Sequence, residues 1–238
     1  MKVVLFCGGL GTRLREHSET IPKPLATIGS RPIIWHLMKY YAHFGHKEFL
    51  LCLGYRGEMI REFFLEDNES RADWTIDFVE TGEDATIAER LCAVEPYLRG
   101  EDLFLANYSD GLTDLPLPAY VDAFRARDSV ASFVAVRNPN SFHIVSVDKS
   151  GTVTALTRAQ EADVWINGGF FVFRPTIFEY IQAGDELVEA PFRRLMDSGL
   201  LYSYKYHGFW AAMDTYKDKV HFDRRHDRGD SPWEVWKK

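Results

Sequence analysis

Short apolar runs alternate with segments of helical periodicity through the first half of the chain. Val3–Cys7 is a continuous apolar run, as a parallel strand buried on both faces requires. Further on, Ile33, Leu37, Tyr40, Tyr41 and Phe44 recur at helical spacing. Pro32 in the first turn and Gly45 past the end mark the limits of that helix. The same reading predicts a strand at Phe49–Leu53, a short helix at Glu58–Phe64 and a strand at Trp74–Val79. A helix over Ile87–Tyr97 then leads to a strand at Leu103–Tyr108, which ends at Ser109-Asp110-Gly111. Strands and helices in this order predict an α/β fold with a doubly wound, mostly parallel, Rossmann-like sheet.

The pattern changes after a helix near Leu117–Arg127. Val130–Arg137, His143–Val147, Val153–Leu156 and Ile166–Phe173 predict strands of an added, more antiparallel region. A helix from Pro175, another near Pro191–Ser198, a strand at Leu200–Tyr206 and a final helix from Tyr216 complete the chain. No repeat, low-complexity tract or linker interrupts it. The expectation is one domain over residues 1–238, with a ligand-binding half to about residue 115 and a second half from about residue 116.

Composition narrows the classes. Hydrophobic residues at 46% and charged residues at 26% are those of a soluble globular protein. A net charge of −7 argues against nucleic acid or an anionic membrane as the main partner. Cys7, Cys52 and Cys92 are odd in number, far apart and mostly set in apolar runs, which predicts reduced core thiols rather than disulfides or zinc ligands. The N-terminus enters a strand with no signal-peptide pattern, and no apolar run reaches the roughly 18 residues of a membrane helix, so a cytoplasmic location is expected. His17, His36, His43, His46, His207, His221 and His226 show no metal-ligand spacing. Trp233 and Trp236 read as a staple between the chain terminus and the body or a neighbouring subunit.

The chemistry is concentrated near the N-terminus. Gly8-Gly9-Leu10-Gly11-Thr12-Arg13-Leu14 leaves the first predicted strand, and Pro22-Lys23-Pro24-Leu25 follows. Glycines at a strand exit expose main-chain N–H groups and let a polyanion approach without meeting a Cβ. Arg13 adds a fork of donors and Lys23 a point charge, and the flanking prolines restrict where that charge can go. A Walker loop is excluded because no lysine follows these glycines at the required spacing. A dinucleotide fingerprint is excluded because Leu14 stands where its third glycine belongs. What remains is a nucleoside triphosphate site, with Leu5, Gly8, Gly9, Gly11, Thr12 and Arg13 as its candidates. Asp110 and Asp214 are candidate magnesium ligands, since magnesium takes one or two carboxylates together with substrate phosphates. Each aspartate has a structural alternative: Asp110 as a turn cap and Asp214 as the cap of the helix from Tyr216.

With GGLGTRL and PKPLATIGSRPIIWHLMKYYAHFG, and with YSDG, WINGGFFVF, GFWAAMDT and GDSPWEVW further on, the chain resembles the sugar-phosphate nucleotidyltransferases. Within them it is most similar to the glucose-1-phosphate cytidylyltransferase branch, and the likeness runs from Gly8 to Trp236. That resemblance implies condensation of an NTP, CTP in this branch, with glucose 1-phosphate to give an NDP-linked product and pyrophosphate. It implies catalytic roles for Arg13 at the β- and γ-phosphates and for Lys23 between the α-phosphate and the attacking phosphate. It also implies Mg2+ at Asp110 and Asp214, base contacts at Thr81 and Gly82 (a plain strand-ending turn being the alternative), an acceptor site at Asn167 and Gly168, and a homo-oligomer.

The acceptor side departs from the family pattern. Thr157-Arg158-Ala159 stands where many relatives carry Glu-Lys-Pro, and His143 follows Phe142 where relatives tend to have glycine. Arg158 retains a phosphate-binding charge, but Thr157 cannot accept two hydroxyl bonds as a carboxylate does. His143 and Arg158 therefore join the acceptor candidates, and a different acceptor, including a non-sugar phosphate or phosphonate, stays open. Two other classes are weighed: a non-catalytic nucleotide-sensing module on the same fold, and a glycosyltransferase. The first would be favoured by loss of Arg13, Lys23 or an aspartate, and the second by an Asp-x-Asp motif; the sequence shows neither.

Overall fold

The computed structural model describes residues 1–9, 21–137, 142–159 and 161–237. In chain order the elements are β1 (Val3–Phe6), β2 (Thr27–Ile28), β3 (Arg31–Pro32), α1 (Ile33–His43), β4 (Glu48–Leu53), α2 (Gly57–Glu66), α3 (Asn68–Asp73) and β5 (Thr75–Glu80). They continue with α4 (Ile87–Ala93), β6 (Phe104–Tyr108), β7 (Gly111–Thr113), α5 (Leu117–Arg125), β8 (Ala131–Arg137), β9 (His143–Val147) and β10 (Val153–Arg158). Last come β11 (Trp165–Phe173), α6 (Ala190–Asp197), β12 (Leu201–Tyr206), β13 (Trp210–Ala212) and α7 (Tyr216–Asp227).

Seven strands form one sheet in the order β12-β8-β11-β6-β1-β4-β5. β6, β1, β4 and β5 are parallel, β11 runs antiparallel to both β6 and β8, and β12 is parallel to β8. The unbroken apolar run of the first strand has a plain cause. Val3 and Leu5 join the core layer with α1, while Val4 and Phe6 join the layer with α4 on the other face. Tyr40 and Tyr120 are fully buried in this core and donate their hydroxyls to the Leu115 and Phe170 carbonyls at 2.7 and 3.1 Å.

The structure differs from the sequence pattern in several places, the short β2–β3 pair among them. The helix expected to reach Tyr97 stops at Ala93, and a 3-10 turn over Glu95–Leu98 follows, because Pro96 has no N–H and disfavours helical backbone before it. Pro175–Tyr180 is likewise a 3-10 turn rather than an α-helix. α3 carries no apolar periodicity; it is held by Asp67, which caps it through Ser70 N at 3.0 Å and binds Arg31 at 2.6 Å. The short ladder of β7 with β13, in register Gly111↔Ala212, has no counterpart in the pattern either.

Trp233 is buried against Phe222 and Phe209, and Trp236 meets Trp35 edge-on, so the terminus is fixed to α1 and α7. Among these rings lies His36, 2% exposed, with Nε2 3.2 Å from the Ile28 carbonyl oxygen. Burial pushes its pKa down to about 4. Below pH about 6.5 the unfolded chain takes up this proton while the folded chain stays neutral until pH nears 4. Stability from this group is therefore complete above pH 6.5 and lost as pH falls towards 4, by on the order of 3 kcal/mol. Thermal unfolding across this range is expected to show a steeper loss in the wild type than in His36→Gln; parallel curves would assign the acid sensitivity elsewhere.

Candidate active site

In a parallel sheet the strand carboxyl ends share one edge, and a cleft of about 730 Å³ opens there. Phe6, Cys7, Gly8 and Gly9 leave β1 along its floor, and Asp110 leaves β6 beside them. Asn167 and Gly168 reach the same edge because β11 runs the opposite way, with a register shift between Asn167 and Phe171. Gly169 in that bulge has φ +75°, and a Cβ there would stand 2.4 Å from the Tyr108 ring. Asn167 Oδ1 accepts the Gly169 N–H at 2.8 Å, and the Gly168 carbonyl accepts from Trp210 Nε1 at 2.8 Å.

Lys23 sits in a 3-10 turn, Lys23–Leu25, between two prolines. Its ammonium donates to Asp110 Oδ2 and, at 2.8 Å, to Asp214 Oδ1. Burial opposes the ammonium charge, but the two carboxylates, Asp110 foremost, outweigh it and raise the lysine above its ordinary pKa. What brings the aspartates together is the β7–β13 ladder: Asp110 immediately precedes β7, Asp214 follows β13 by two residues, and Met213 N donates to the Asp110 carbonyl at 2.9 Å. The cap of α7 is Thr215, in a capping box with Asp218, so the Asp214 carboxylate is turned to Lys23 instead. Ser109 Oγ ties the turn before it to the Phe6 carbonyl at 2.9 Å.

Arg90 is the site residue the sequence reading missed. It is 2% exposed and lies on the buried side of α4 with Ala88 and Leu91. The guanidinium donates to Thr81 Oγ1 at 2.6 Å and to the carbonyls of Glu83, Gly8 and Leu53 at 3.0, 3.1 and 3.3 Å. It thereby joins the β1 exit loop, the end of β4 and the turn after β5. A Cβ on Gly8 would stand 1.9 Å from Arg90 Nη1, which explains glycine there. An arginine at a helix position otherwise filled by apolar side chains was the available signal. Arg90→Met leaves these buried acceptors without a donor, and a loss of roughly 2–4 kcal/mol in denaturant unfolding is expected. A change under about 0.5 kcal/mol would mean that the loop needs no such tie.

The sequence candidates fall in four groups. Lys23, Asp110, Asp214, Gly8, Gly9, Asn167 and Gly168 line the cleft. Leu5 is fully buried within β1; Thr81 spends its hydroxyl on the Leu53 carbonyl at 2.6 Å and on Arg90; Gly82 is the left-handed residue of that turn. The cleft wall there is formed by the following residues, Glu83 to Ile87. His143 and Arg158 are exposed cross-strand neighbours on the β9–β10 hairpin, outside the cleft lining, with Arg158 3.4 Å from Glu161. Gly11, Thr12 and Arg13 lie outside the described residues.

The described lining is rich in carboxylates, with Glu83, Asp84 and Glu186 on one side and Asp110 and Asp214 on the other, against Lys23 and Arg90. Cys7 is buried, and burial keeps its thiol protonated well past the usual range, so it offers no nucleophile. Asp110 and Asp214 do offer hard oxygen donors from two elements converging on one cationic centre, a donor set that fits magnesium.

The family described as nucleotidyl transferase matches residues 2–213. A Bacillus subtilis protein named probable glucose-1-phosphate cytidylyltransferase is 36% identical, over 99% of this chain and 100% of that protein. The glucose-1-phosphate cytidylyltransferase of Salmonella typhimurium is 34% identical, over 99% of this chain and 100% of that protein. Among solved structures, HddC from Yersinia pseudotuberculosis superposes with a TM-score of 0.75 at 19% identity, covering 94% of this chain and 99% of that one.

Proposed function

Because the chain belongs to the nucleotidyl transferase family, we propose that it condenses CTP with a sugar 1-phosphate, glucose 1-phosphate first, and releases pyrophosphate. The observation that carries this reading is the meeting of Lys23 with Asp110 and Asp214 in the lining of a nucleotide-sized cleft. The choice of CTP rests on the names of the full-length relatives.

In this reaction an acceptor phosphate oxygen attacks the α-phosphorus, the α–β phosphoanhydride bond breaks, and its electron pair leaves with pyrophosphate. No covalent protein intermediate is needed, so the residues act by positioning and charge. Gly9, where a Cβ would meet no described protein atom within 4 Å, leaves the main chain open to the triphosphate, and Arg90 fixes the loop through the Gly8 carbonyl. Lys23 offsets the repulsion between the α-phosphate and the incoming phosphate, two anions that must meet. Arg13 would serve the β- and γ-phosphates. Asp110 and Asp214 would hold magnesium, which supplies charge neutralisation and polarises phosphoryl oxygens when bound.

A second reading concerns the acceptor. His143 and Arg158 face one another across the β9–β10 hairpin, so both departures from the family pattern fall at one place. An acceptor other than glucose 1-phosphate, a phosphonate included, therefore rests on these sequence departures, which lie outside the described cleft lining. Pyrophosphate release with each NTP against a panel of phosphorylated acceptors, with magnesium, tests both readings. Release with CTP and glucose 1-phosphate supports the first; release with CTP and only another acceptor supports the second. No release from any pair, with nucleotide binding retained, would overturn the enzyme reading in favour of a sensing module.

A further inference from the structure

We propose that Lys23 holds the metal position in the resting protein, so that binding a divalent cation and freeing Lys23 for phosphate are a single exchange. This rests on the reading above that Asp110 and Asp214 are the metal ligands, and extends it to the order of events.

The two carboxylates stand on separate elements and are drawn to one point by the β7–β13 ladder, whose main-chain bonds use neither carboxylate. Two such groups need a cation between them, since like charges this close repel. The Lys23 ammonium meets that need by bonding to both, with its side chain 16% exposed. At the point between Asp110 Oδ2 and Asp214 Oδ1 an ammonium and a divalent ion exclude one another, because two cations this close repel. Metal entry therefore expels Lys23.

The expelled lysine has restricted choices. Pro22 and Pro24 fix the backbone on either side, and the turn is closed by Leu25 N to Pro22 O at 2.9 Å and Ala26 N to Lys23 O at 3.0 Å. Only side-chain torsions remain, and these sweep the ammonium through the cleft, where a substrate phosphate is its natural partner. Metal is thus bound weakly while Lys23 has no phosphate to receive it, and more tightly once one is present. Linkage makes the effect reciprocal: metal improves phosphate binding by the same factor.

The test is Mn2+ binding to nucleotide-free protein, followed by electron paramagnetic resonance. Lys23→Met should bind Mn2+ about tenfold more tightly than the wild type, the factor set by no longer breaking a charge-assisted hydrogen bond. Lys23→Gln serves as a second neutral variant, and thermal unfolding shows that each is folded. Asp110→Asn should abolish the tightened binding, which locates the ion. With inorganic pyrophosphate present, wild-type and Lys23→Met affinities should converge. Equal or weaker Mn2+ binding in both neutral variants overturns the exchange, as does a complete absence of binding. Magnesium-dependent turnover of the wild type, measured separately, shows whether the proposed reaction fails with it or stands without it.

Discussion

Asp110→Asn or Asp214→Asn is expected to lower kcat by at least about 10³-fold with CTP and the preferred acceptor, with little change in melting temperature. Asparagine keeps the shape and one oxygen acceptor of aspartate but loses the charge that a hard cation requires. The fold should be spared for a local reason: the backbone at these positions is held by the β7–β13 ladder and the Met213-to-Asp110 main-chain bond, neither of which uses a carboxylate. Their side chains are 22% and 45% exposed, so their ion pairs with Lys23 contribute about 1 kcal/mol or less. Steady-state kinetics with a magnesium titration, beside a melting curve, is the measurement. Unchanged turnover in both variants would remove the pair as metal ligands, and a collapsed melting curve would make their role structural.

Lys23→Ala is expected to cost on the order of 10²–10⁴-fold in kcat, again with a smaller effect on stability. The two aspartates hold this lysine above its ordinary pKa, so it stays charged throughout the neutral range. Its loss should therefore lower rate at every pH tested without shifting the shape of the profile. An altered profile would mean that Lys23 transfers a proton, and a purely KM effect would mean that it only holds the ground state.

The sheet was readable from the sequence because its central strands are buried on both faces: Val3–Phe6 is apolar throughout, as are residues 49–53 of β4 and 104–106 of β6. Lys23 was readable from its proline-flanked motif. Asp110 and Asp214 were paired through the resemblance, but the ladder that brings them onto Lys23 was not readable, because it is three residues long on each side, too short to show a period. Arg90 escaped for a different reason. Its partners are one hydroxyl and three main-chain carbonyls, so no complementary charge elsewhere in the sequence points to it. α3 escaped because charge pairing with Arg31 and Lys39, rather than an apolar stripe, fixes it.

The way Arg90 grips its surroundings divides the cleft into a part that tolerates change and a part that does not. At residue 83 it binds a carbonyl, so the Glu83 side chain can be replaced without loosening the grip, and its neighbour Asp84 is exposed as well. At Gly8 and Gly54 there is no such latitude, since a Cβ at either would press on Arg90 or on main chain within 3 Å. A library randomising residues 83 and 84 would thus vary one wall of the cleft while the exit loop of β1 keeps its tie to Arg90. Diversity can be concentrated on that wall without disturbing the frame that holds it.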